Sequence, residues 1–141
     1  MVTGIGVDII QVARFNEWVE QGASKNQVLL SSNELEDCFS CKNNAVIAQR
    51  LAVRFAAKEA FYKALTASFL VLSIDVHVSM SLRFVAQHCY IAHSSLGNPV
   101  LHVDWVAIQK KIGTTIPSIR THLSLSHEKQ YAVAFVTLSL L

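Results

Sequence analysis

The amino-acid sequence predicts an α+β fold in which an antiparallel sheet packs on a long central helix. Residues 45–65 contain no Gly or Pro and many Ala, Leu, Lys and Glu residues, which predicts one uninterrupted helix. The segments that follow are mostly apolar or alternating and are separated by turn residues, which predicts strands. The chain has 141 residues, about the size of one domain, so we expect a single domain over residues 1–141.

The N-terminal segment predicts a strand followed by a helix. Residues 1–7 are rich in apolar strand formers, and Gly4 and Gly6 among them indicate a close backbone approach or a bend. Residues 9–18 read as a helix, and Asp8 is well placed to cap its N-terminus. A ligand role for Asp8 is compatible with that position, and the residues alone favour the two roles about equally.

A second helix is predicted where Ser31 or Ser32 precedes the acidic residues Glu34 and Glu36. Ser is a preferred N-cap residue, and carboxylates in the first turn interact favourably with the helix dipole. We expect this helix to end near Cys41, after which a polar connection leads into the long helix.

The long helix presents two different faces at about 100° per residue. A small stripe of Ala48, Ala52 and Ala56 leads to Glu59 and Lys63, which lie one turn apart. The broad opposite face is apolar and can pack on a sheet; it consists of Val46, Val53, Ala57, Ala60, Phe61 and Ala64. Small residues would let a backbone or a ligand approach the charged pair. Equally, a Glu–Lys pair at this spacing is the commonest solvated helix pair, worth roughly 0.2–0.5 kcal/mol.

The segment after the long helix predicts two neighbouring strands. Residues 66–68 are expected to form a short connection. Apolar and polar residues alternate within residues 70–80, which predicts a strand, and residues 82–92 are expected to be its neighbour. Residues 94–99, with the sequence Ser-Ser-Leu-Gly-Asn-Pro, then form the clearest turn signal in the chain.

The C-terminal part predicts a strand, a short helix and a hairpin. Residues 100–103 form the strand, and Trp105–Ile112 forms the helix, which Gly113 ends. Alternation over residues 121–126 and an apolar run over residues 131–136 predict two further strands joined by a polar turn.

Composition limits the class of protein and its surroundings. The chain is 52% hydrophobic and only 16% charged, so we expect apolar surface to be buried against another subunit. A formal charge of +2 is too small to indicate nucleic-acid binding. The longest apolar runs fall short of the roughly 20 residues that a membrane span needs, and the start shows no signal-peptide pattern. We therefore expect a cytoplasmic protein that does not enter membranes.

Three cysteines, an odd number, argue against a disulfide framework. Cys38 and Cys41 form a C-x-x-C pair, but a metal or redox role would need a second ligand pair or a thioredoxin-like unit. The sequence shows neither, so the role of this pair stays open.

Three segments together indicate a family. They are residues 4–10 (Gly-Ile-Gly-Val-Asp-Ile-Ile), residues 54–61 (Arg-Phe-Ala-Ala-Lys-Glu-Ala-Phe) and residues 123–128 (Leu-Ser-Leu-Ser-His-Glu). In this order and at this spacing they closely resemble the holo-[acyl-carrier-protein] synthase family, the small bacterial type of 4′-phosphopantetheinyl transferase. The Gly-Asn-Pro turn at residues 97–99 is similar to a turn of the same family.

The resemblance implies a homotrimer with active sites between subunits. It implies transfer of 4′-phosphopantetheine from coenzyme A to a serine of apo acyl carrier protein, in support of fatty acid biosynthesis. By position, Asp8 and Glu59 match the two carboxylates that hold Mg²⁺ in the family. Mg²⁺ prefers oxygen ligands and is commonly held by one or two carboxylates together with substrate phosphates.

The resemblance also implies roles for basic residues near the motifs. Lys63 would neutralise charge on the pyrophosphate of coenzyme A. Arg54 and Lys58 are candidates for the other phosphates of the nucleotide, although a solvated basic face would explain them equally well. Arg14 matches a position that meets the acidic carrier protein; the alternative is an ordinary exposed arginine.

His127 ends the Ser-x-Ser-His strand that lies near the active site in the family, so the resemblance implies a nucleotide contact or proton transfer. A histidine at the end of a hairpin is the alternative. The general base is not assigned, because a metal-bound water, Glu59 and His127 are all candidates.

One departure from the family lies just after the long helix. The family has a Gly-Thr-Gly-like turn there, which lets backbone approach the cofactor, whereas this chain has Thr66-Ala67-Ser68. Thr66 stays a candidate for cofactor binding, but the missing glycines also support an alternative function.

That alternative function is a catalytically weakened trimeric homologue that binds coenzyme A without turnover. A third possibility is a transferase that modifies carrier domains other than the fatty-acid one.

Overall fold

The computed structural model describes residues 1–141, and it consists of five strands and five α-helices with two short 3₁₀ turns. The strands are β1 (Val2–Gln11), β2 (Cys89–His93), β3 (Pro99–Val103), β4 (Ile119–His127) and β5 (Tyr131–Leu140). The helices are α1 (Asn16–Gln21), α2 (Ser32–Cys38), α3 (Asn44–Val71), α4 (Leu82–Gln87) and α5 (Trp105–Ile112). The 3₁₀ turns are Val12–Phe15 and Ala23–Asn26.

A three-stranded antiparallel sheet in the order β1-β5-β4 packs on α3, and β2 and β3 form a separate antiparallel pair. This confirms the predicted α+β fold with a long central helix and the predicted hairpin of the last two strands. The hairpin turn is closed by a hydrogen bond from Glu128 N to Tyr131 O of 2.8 Å. Strand β5 lies in the middle of the sheet and its inward residues are fully buried.

Helix α3 is 28 residues long and runs past the predicted end at residue 65. It begins after Asn43, whose Oδ1 accepts hydrogen bonds from Ala45 N at 3.0 Å and Val46 N at 3.3 Å. The predicted connection over residues 66–68 is therefore wrong, because these residues continue the helix. The physical reason is that no Gly interrupts the segment and that the fully buried Ser68 donates a hydrogen bond from Oγ to Thr3 Oγ1 at 2.9 Å.

The small stripe of α3 packs inside the core. Ala48, Ala52 and Ala56 are each at most 1% exposed. The stripe is thus covered by the core, and no ligand reaches α3 along it. Beyond the stripe, Glu59 is partly exposed and Lys63 is exposed.

Strand β1 lies directly on the backbone of α3. A Cβ atom added to Gly6 would be 1.9 Å from the carbonyl oxygen of Ala60, and one added to Gly4 would be 2.1 Å from that of Ala64. No side chain fits at either position, which confirms the predicted close approach at both glycines.

The predicted helix over residues 9–18 is wrong at its start. Strand β1 continues to Gln11 because Asp8, Ile9 and Ile10 pair with Ala134, Val133 and Ala132 of β5. Asp8 therefore lies within a strand and caps no helix. Strand pairing of β-branched residues outweighed the local capping pattern.

The predicted N-terminus of α2 is confirmed at Ser31. Its Oγ accepts a hydrogen bond from Glu34 N at 3.3 Å, and Glu34 Oε2 accepts one from Ser31 N at 2.8 Å, which completes a capping box. The helix ends at Cys38, three residues before the predicted end at Cys41.

The predicted strand pair after α3 is wrong. Helix α3 takes the first residues of the 70–80 segment. Of the rest, Ile74, Val76 and Met80 pack against the core, and residues 74–80 have no strand partner. Residues 82–92 divide into α4 and β2, since Ser81 Oγ accepts a hydrogen bond from Phe84 N at 3.1 Å and starts a helix. Helix α5 has the predicted bounds and ends at Gly113, which adopts a left-handed φ of 73°.

No helix of the molecule combines the length and the apolar character that crossing a membrane requires.

Replacing Gly6 with Ala is expected to lower the free energy of unfolding by about 3 kcal/mol or more, because the new methyl group meets backbone that cannot move aside. Gly97→Ala is the matched control. It has open space around it and a φ of +83°, so only conformational strain of about 1–2 kcal/mol is expected. Urea denaturation measures both, and equal losses would contradict the close packing of β1 on α3.

Candidate active site

Asp8 and Lys63 meet although 55 residues separate them in the sequence. Asp8 lies on the face of β1 that looks toward α3, and Lys63 stands near the C-terminal half of that helix. Lys63 Nζ donates hydrogen bonds to Asp8 Oδ1 and to the Val7 carbonyl oxygen, both at 2.9 Å. The structure therefore brings together two of the predicted site residues.

Glu59 lies one turn before Lys63 and belongs to the same cluster. Its pKa is raised, first by burial and then by the negative charge of Asp8, while the positive charges of Lys63 and Arg14 act in the opposite direction. The negative charge of Asp8 is thus close enough to disfavour the charged form of Glu59. A cation between them would relieve this repulsion.

The oxygen donors of Asp8 and Glu59 suit a hard divalent cation. Nowhere in residues 1–141 do three or more His, Cys, Asp or Glu side chains gather as a complete metal site. Two carboxylates are nevertheless the set that Mg²⁺ commonly takes from a protein when substrate phosphates and water supply the remaining ligands. The chemistry of the pair therefore fits Mg²⁺ held jointly by protein and substrate.

Arg14 is exposed on the 3₁₀ turn that follows β1. Its positive charge is near enough to Glu59 to lower the pKa of that carboxyl. The guanidinium therefore stands beside the carboxylate cluster and is open to a partner.

The position of Lys58 argues against the predicted contact with a nucleotide phosphate. Its side chain is 1% exposed, and its Nζ lies 2.9 Å from Glu34 Oε2. The same ammonium lies within 2.9 Å of the carbonyl oxygens of Leu29, Ala86 and Cys89. With three hydrogens and four acceptors, this group has no hydrogen bond left to offer.

Thr66 lies within α3 and not in a loop. Its Oγ1 is 3.1 Å from the carbonyl oxygen of Tyr62 and 3.0 Å from that of Lys63. The hydroxyl hydrogen is therefore used within the helix, and only the oxygen lone pairs stay available for a ligand.

Arg54 and His127 line one cavity of about 350 Å³. We call it the Arg54 cavity; its walls are Asp37, Arg50, Val53, Arg54, Ile91, His93, Pro99, Leu125 and His127. Arg54 is 4% exposed, and its Nε is buried without a hydrogen-bond partner. A buried guanidinium with an unused donor beside a cavity is suited to binding an anion.

Sequence reasoning missed Asp37, Arg50 and His93 in this cavity. Arg50 precedes Arg54 by four residues, so the helical period places the two guanidinium groups on one side of α3. That spacing was the available signal for Arg50. Nothing local in the sequence connects Asp37 of α2 or His93 of β2 with α3.

The C-x-x-C pair contributes no reactive thiol at Cys38. This side chain is fully buried, and burial raises the pKa of its thiol to about 11. Burial likewise raises the pKa of Cys89 to about 12. Thiols of this kind are weak nucleophiles at neutral pH.

The fold and the motif segments at residues 4–10 and 54–61, which supply Asp8 and Glu59, define a class of transferases. The family model of the 4′-phosphopantetheinyl transferase superfamily matches residues 4–136, and the chain belongs to this superfamily. A holo-[acyl-carrier-protein] synthase of Geobacter sulfurreducens is 34% identical over 139 residues, covering 98% of each chain. One of Treponema denticola is 35% identical, covering 96% of this chain and 97% of the relative.

A crystal structure of the Bacillus anthracis holo-(acyl-carrier-protein) synthase in complex with CoA (3′,5′-ADP) superposes on the chain. Its TM-score is 0.70 at 26% sequence identity, and the match covers 99% of this chain and 98% of that one. The similarity thus extends over nearly the whole chain.

Glu59→Gln is expected to raise the free energy of unfolding at pH 7 in EDTA-containing buffer. The pKa of Glu59 is higher in the folded chain than in the unfolded one, so the folded state binds the extra proton and wild-type stability falls as pH rises through this range. The variant loses this dependence, and its advantage shrinks as pH falls toward the ordinary pKa of glutamate. Urea denaturation over a pH series measures both effects.

Glu20→Gln, on exposed α1, is the control and is expected to show no such gain at pH 7. If Glu59→Gln is no more stable than wild type at pH 7, burial and the charge of Asp8 do not disfavour the charged form of Glu59.

Proposed function

We propose that this chain transfers the 4′-phosphopantetheine group from coenzyme A to a serine of apo acyl carrier protein. The observation that carries the proposal is the cluster of Asp8, Glu59 and Lys63, which β1 and α3 bring together. Two adjacent carboxylates with an ammonium group are suited to a metal-assisted reaction at a pyrophosphate. Relatives named as holo-[acyl-carrier-protein] synthases over their full length support the assignment.

Asp8 and Glu59 are the residues that would hold Mg²⁺. When bound, the ion supplies neutralisation of the pyrophosphate charge and polarises the phosphorus under attack. In the structure, Lys63 neutralises Asp8 through an ion pair of 2.9 Å between Lys63 Nζ and Asp8 Oδ1. Because its side chain is half exposed, it is free to turn toward the phosphate of a bound substrate and stabilise the leaving group there.

Arg54 and His127 bind the nucleotide end of coenzyme A in this proposal. They line the same cavity, and the guanidinium of Arg54 suits a phosphate. A nucleotide-bound relative of the same fold supports a site of this kind. Lys58 has no place in it because its ammonium is saturated within the core.

Arg14 contacts the carrier protein. It is exposed beside the carboxylate cluster, where the incoming serine must arrive. Acyl carrier proteins are acidic, and an exposed guanidinium at the mouth of the site attracts such a partner and orients it. The reaction belongs to fatty acid biosynthesis and takes place in the cytoplasm.

The assembly we propose is a homotrimer that uses the outer face of the sheet. This outer face is apolar, and all of its residues are exposed except the partly exposed Val133; it consists of Ile5, Val7, Ile9, Tyr131, Val133 and Phe135. Phe135 lies at the centre of this face, opposite Val7, and is 45% exposed. A contiguous apolar patch of this kind is typical of a surface that another subunit covers. Asp8 lies on the opposite face of β1, toward α3, so a subunit that covers the patch packs against the other side of this strand.

The continuation of α3 through residues 66–68 favours one second candidate. A helix leaves less backbone free to approach a cofactor than the glycine turn of the family does, because its N–H groups are already paired. A homologue that binds coenzyme A without turnover is therefore the alternative function.

Intact-mass spectrometry of apo acyl carrier protein tests the reaction. Incubation with the chain, coenzyme A and Mg²⁺ is expected to add one phosphopantetheine mass, and EDTA is expected to prevent it. Asp8→Ala and Glu59→Ala are expected to lower the rate by at least about 100-fold, because each removes one of two proposed metal ligands. Thermal-shift measurements add a second readout, in which Mg²⁺ with 3′,5′-ADP stabilises wild type but neither variant.

Coenzyme A binding without a mass gain, from folded and assembled protein, would favour the binding-only alternative. Full activity of either variant would contradict the metal assignment.

Phe135→Glu is expected to convert the trimer to monomer in analytical ultracentrifugation and to abolish transfer. A charge buried in an apolar interface without a partner costs more free energy than the contact returns. Leu96→Glu is the control, since Leu96 is 87% exposed in the turn before β3 and away from the outer face. A Phe135→Glu variant that stays trimeric would show that another surface makes the assembly.

A further inference from the structure

We infer that Asp37 is an internal anion that competes with a ligand phosphate for Arg54 and thereby sets the affinity of the Arg54 cavity. The inference rests on the proposed function, since it takes a phosphate of the nucleotide as the ligand. It adds a residue outside the three motif segments to the determinants of binding.

The contact itself is an ion pair across two helices. Asp37 Oδ2 of α2 accepts a hydrogen bond from the terminal nitrogen NH2 of Arg54 on α3. The Arg54 side chain is 5% exposed and the Asp37 side chain 51%. The carboxylate therefore stands between the buried guanidinium and solvent at the wall of the cavity.

Arg54 has few other partners. Its NH1 donates to the Arg50 carbonyl oxygen at 3.3 Å, a long contact, and its Nε has no partner. The carboxylate of Asp37 is thus the only anion that balances a nearly buried cation. A phosphate that enters the cavity offers more charge and more acceptor oxygens, but it must replace or repel this carboxylate.

Arg50 fixes the backbone of Asp37 and makes no hydrogen bond to its carboxylate. Its NH1 donates to the main-chain oxygen of Asp37 at 2.8 Å and to Ser40 Oγ at 2.9 Å. The backbone is therefore fixed while the side chain is half exposed and free to rotate. Such an arrangement allows the carboxylate to leave Arg54 without any movement of α2.

The charges of the residues that line the cavity indicate that Asp37 competes with a bound phosphate and does not help to bind it. Asp37 is the only carboxylate among the nine lining residues, which include two arginines and two histidines. A wall of this composition attracts an anion, and one carboxylate at the guanidinium reduces that attraction. The cavity then binds a phosphate more weakly than its basic residues alone would allow, which favours release of the nucleotide product.

The test is calorimetric titration of adenosine 3′,5′-bisphosphate into wild type, Asp37→Asn and the matched control Glu36→Gln. Asparagine keeps the shape of the side chain and removes its charge. We expect about two- to fivefold tighter binding for Asp37→Asn, the upper part of the range for a partly exposed charge pair, and less than about twofold change for Glu36→Gln. Glu36 is an exposed carboxylate on the same helix and does not line the cavity.

The same substitution in an Arg54→Gln background tests the mechanism. The gain from Asp37→Asn is expected to disappear there, because the Arg54 guanidinium, for which Asp37 and the phosphate compete, is absent. A gain that persists would show a general effect of charge and would overturn the assignment to Arg54. Unchanged or weaker binding by Asp37→Asn would overturn it too, since it would make Asp37 a residue that positions Arg54 or contacts the ligand.

Failure of the proposed function has a different signature. Wild-type binding with no gain in Asp37→Asn overturns only the inference. Absence of binding in both proteins removes the nucleotide site and the inference with it. Binding by Asp37→Asn alone supports the inference in its strongest form.

Discussion

The contact between β1 and α3 is the constraint on which the rest of the structure depends. Gly4 and Gly6 let the strand backbone rest on the carbonyl groups of Ala60 and Ala64, closer than any side chain would permit. This contact fixes the position of β1 along the helix. Asp8, two residues after Gly6 on the same face of the strand, is thereby placed within hydrogen-bond reach of α3. The site forms at the edge of this contact.

A second constraint is the buried hydrogen-bond network of Lys58, on another face of α3. Its ammonium joins the side chain of Glu34 with carbonyl groups from three other segments, and Glu34 also accepts a hydrogen bond from Ile91 N at 2.9 Å. Breaking such a buried pair on one side typically costs about 3–5 kcal/mol. The network therefore ties α2 and β2 to α3 and holds the walls of the Arg54 cavity in place.

Four of the charged residues on this one helix thus serve three different environments. Arg54 faces a cavity, Lys58 the core, and Glu59 and Lys63 the cluster at β1. The helical period separates Lys58 from Glu59 by about 100°, so adjacent residues reach opposite environments. Burial on nearly all sides makes this division strict, because each charge must find a partner or a route to solvent.

Local pattern determined the elements whose signals lie within one or two turns of chain. The body of α3, the capping box at Ser31, the end of α5 at Gly113 and the last hairpin follow from residues near one another. The resemblance named the site residues, but not their neighbours. Only the tertiary structure decided that Asp8 lies in a strand, that Lys58 is buried and that Asp37 pairs with Arg54. Those outcomes depend on contacts between residues far apart in the chain, which no local pattern specifies.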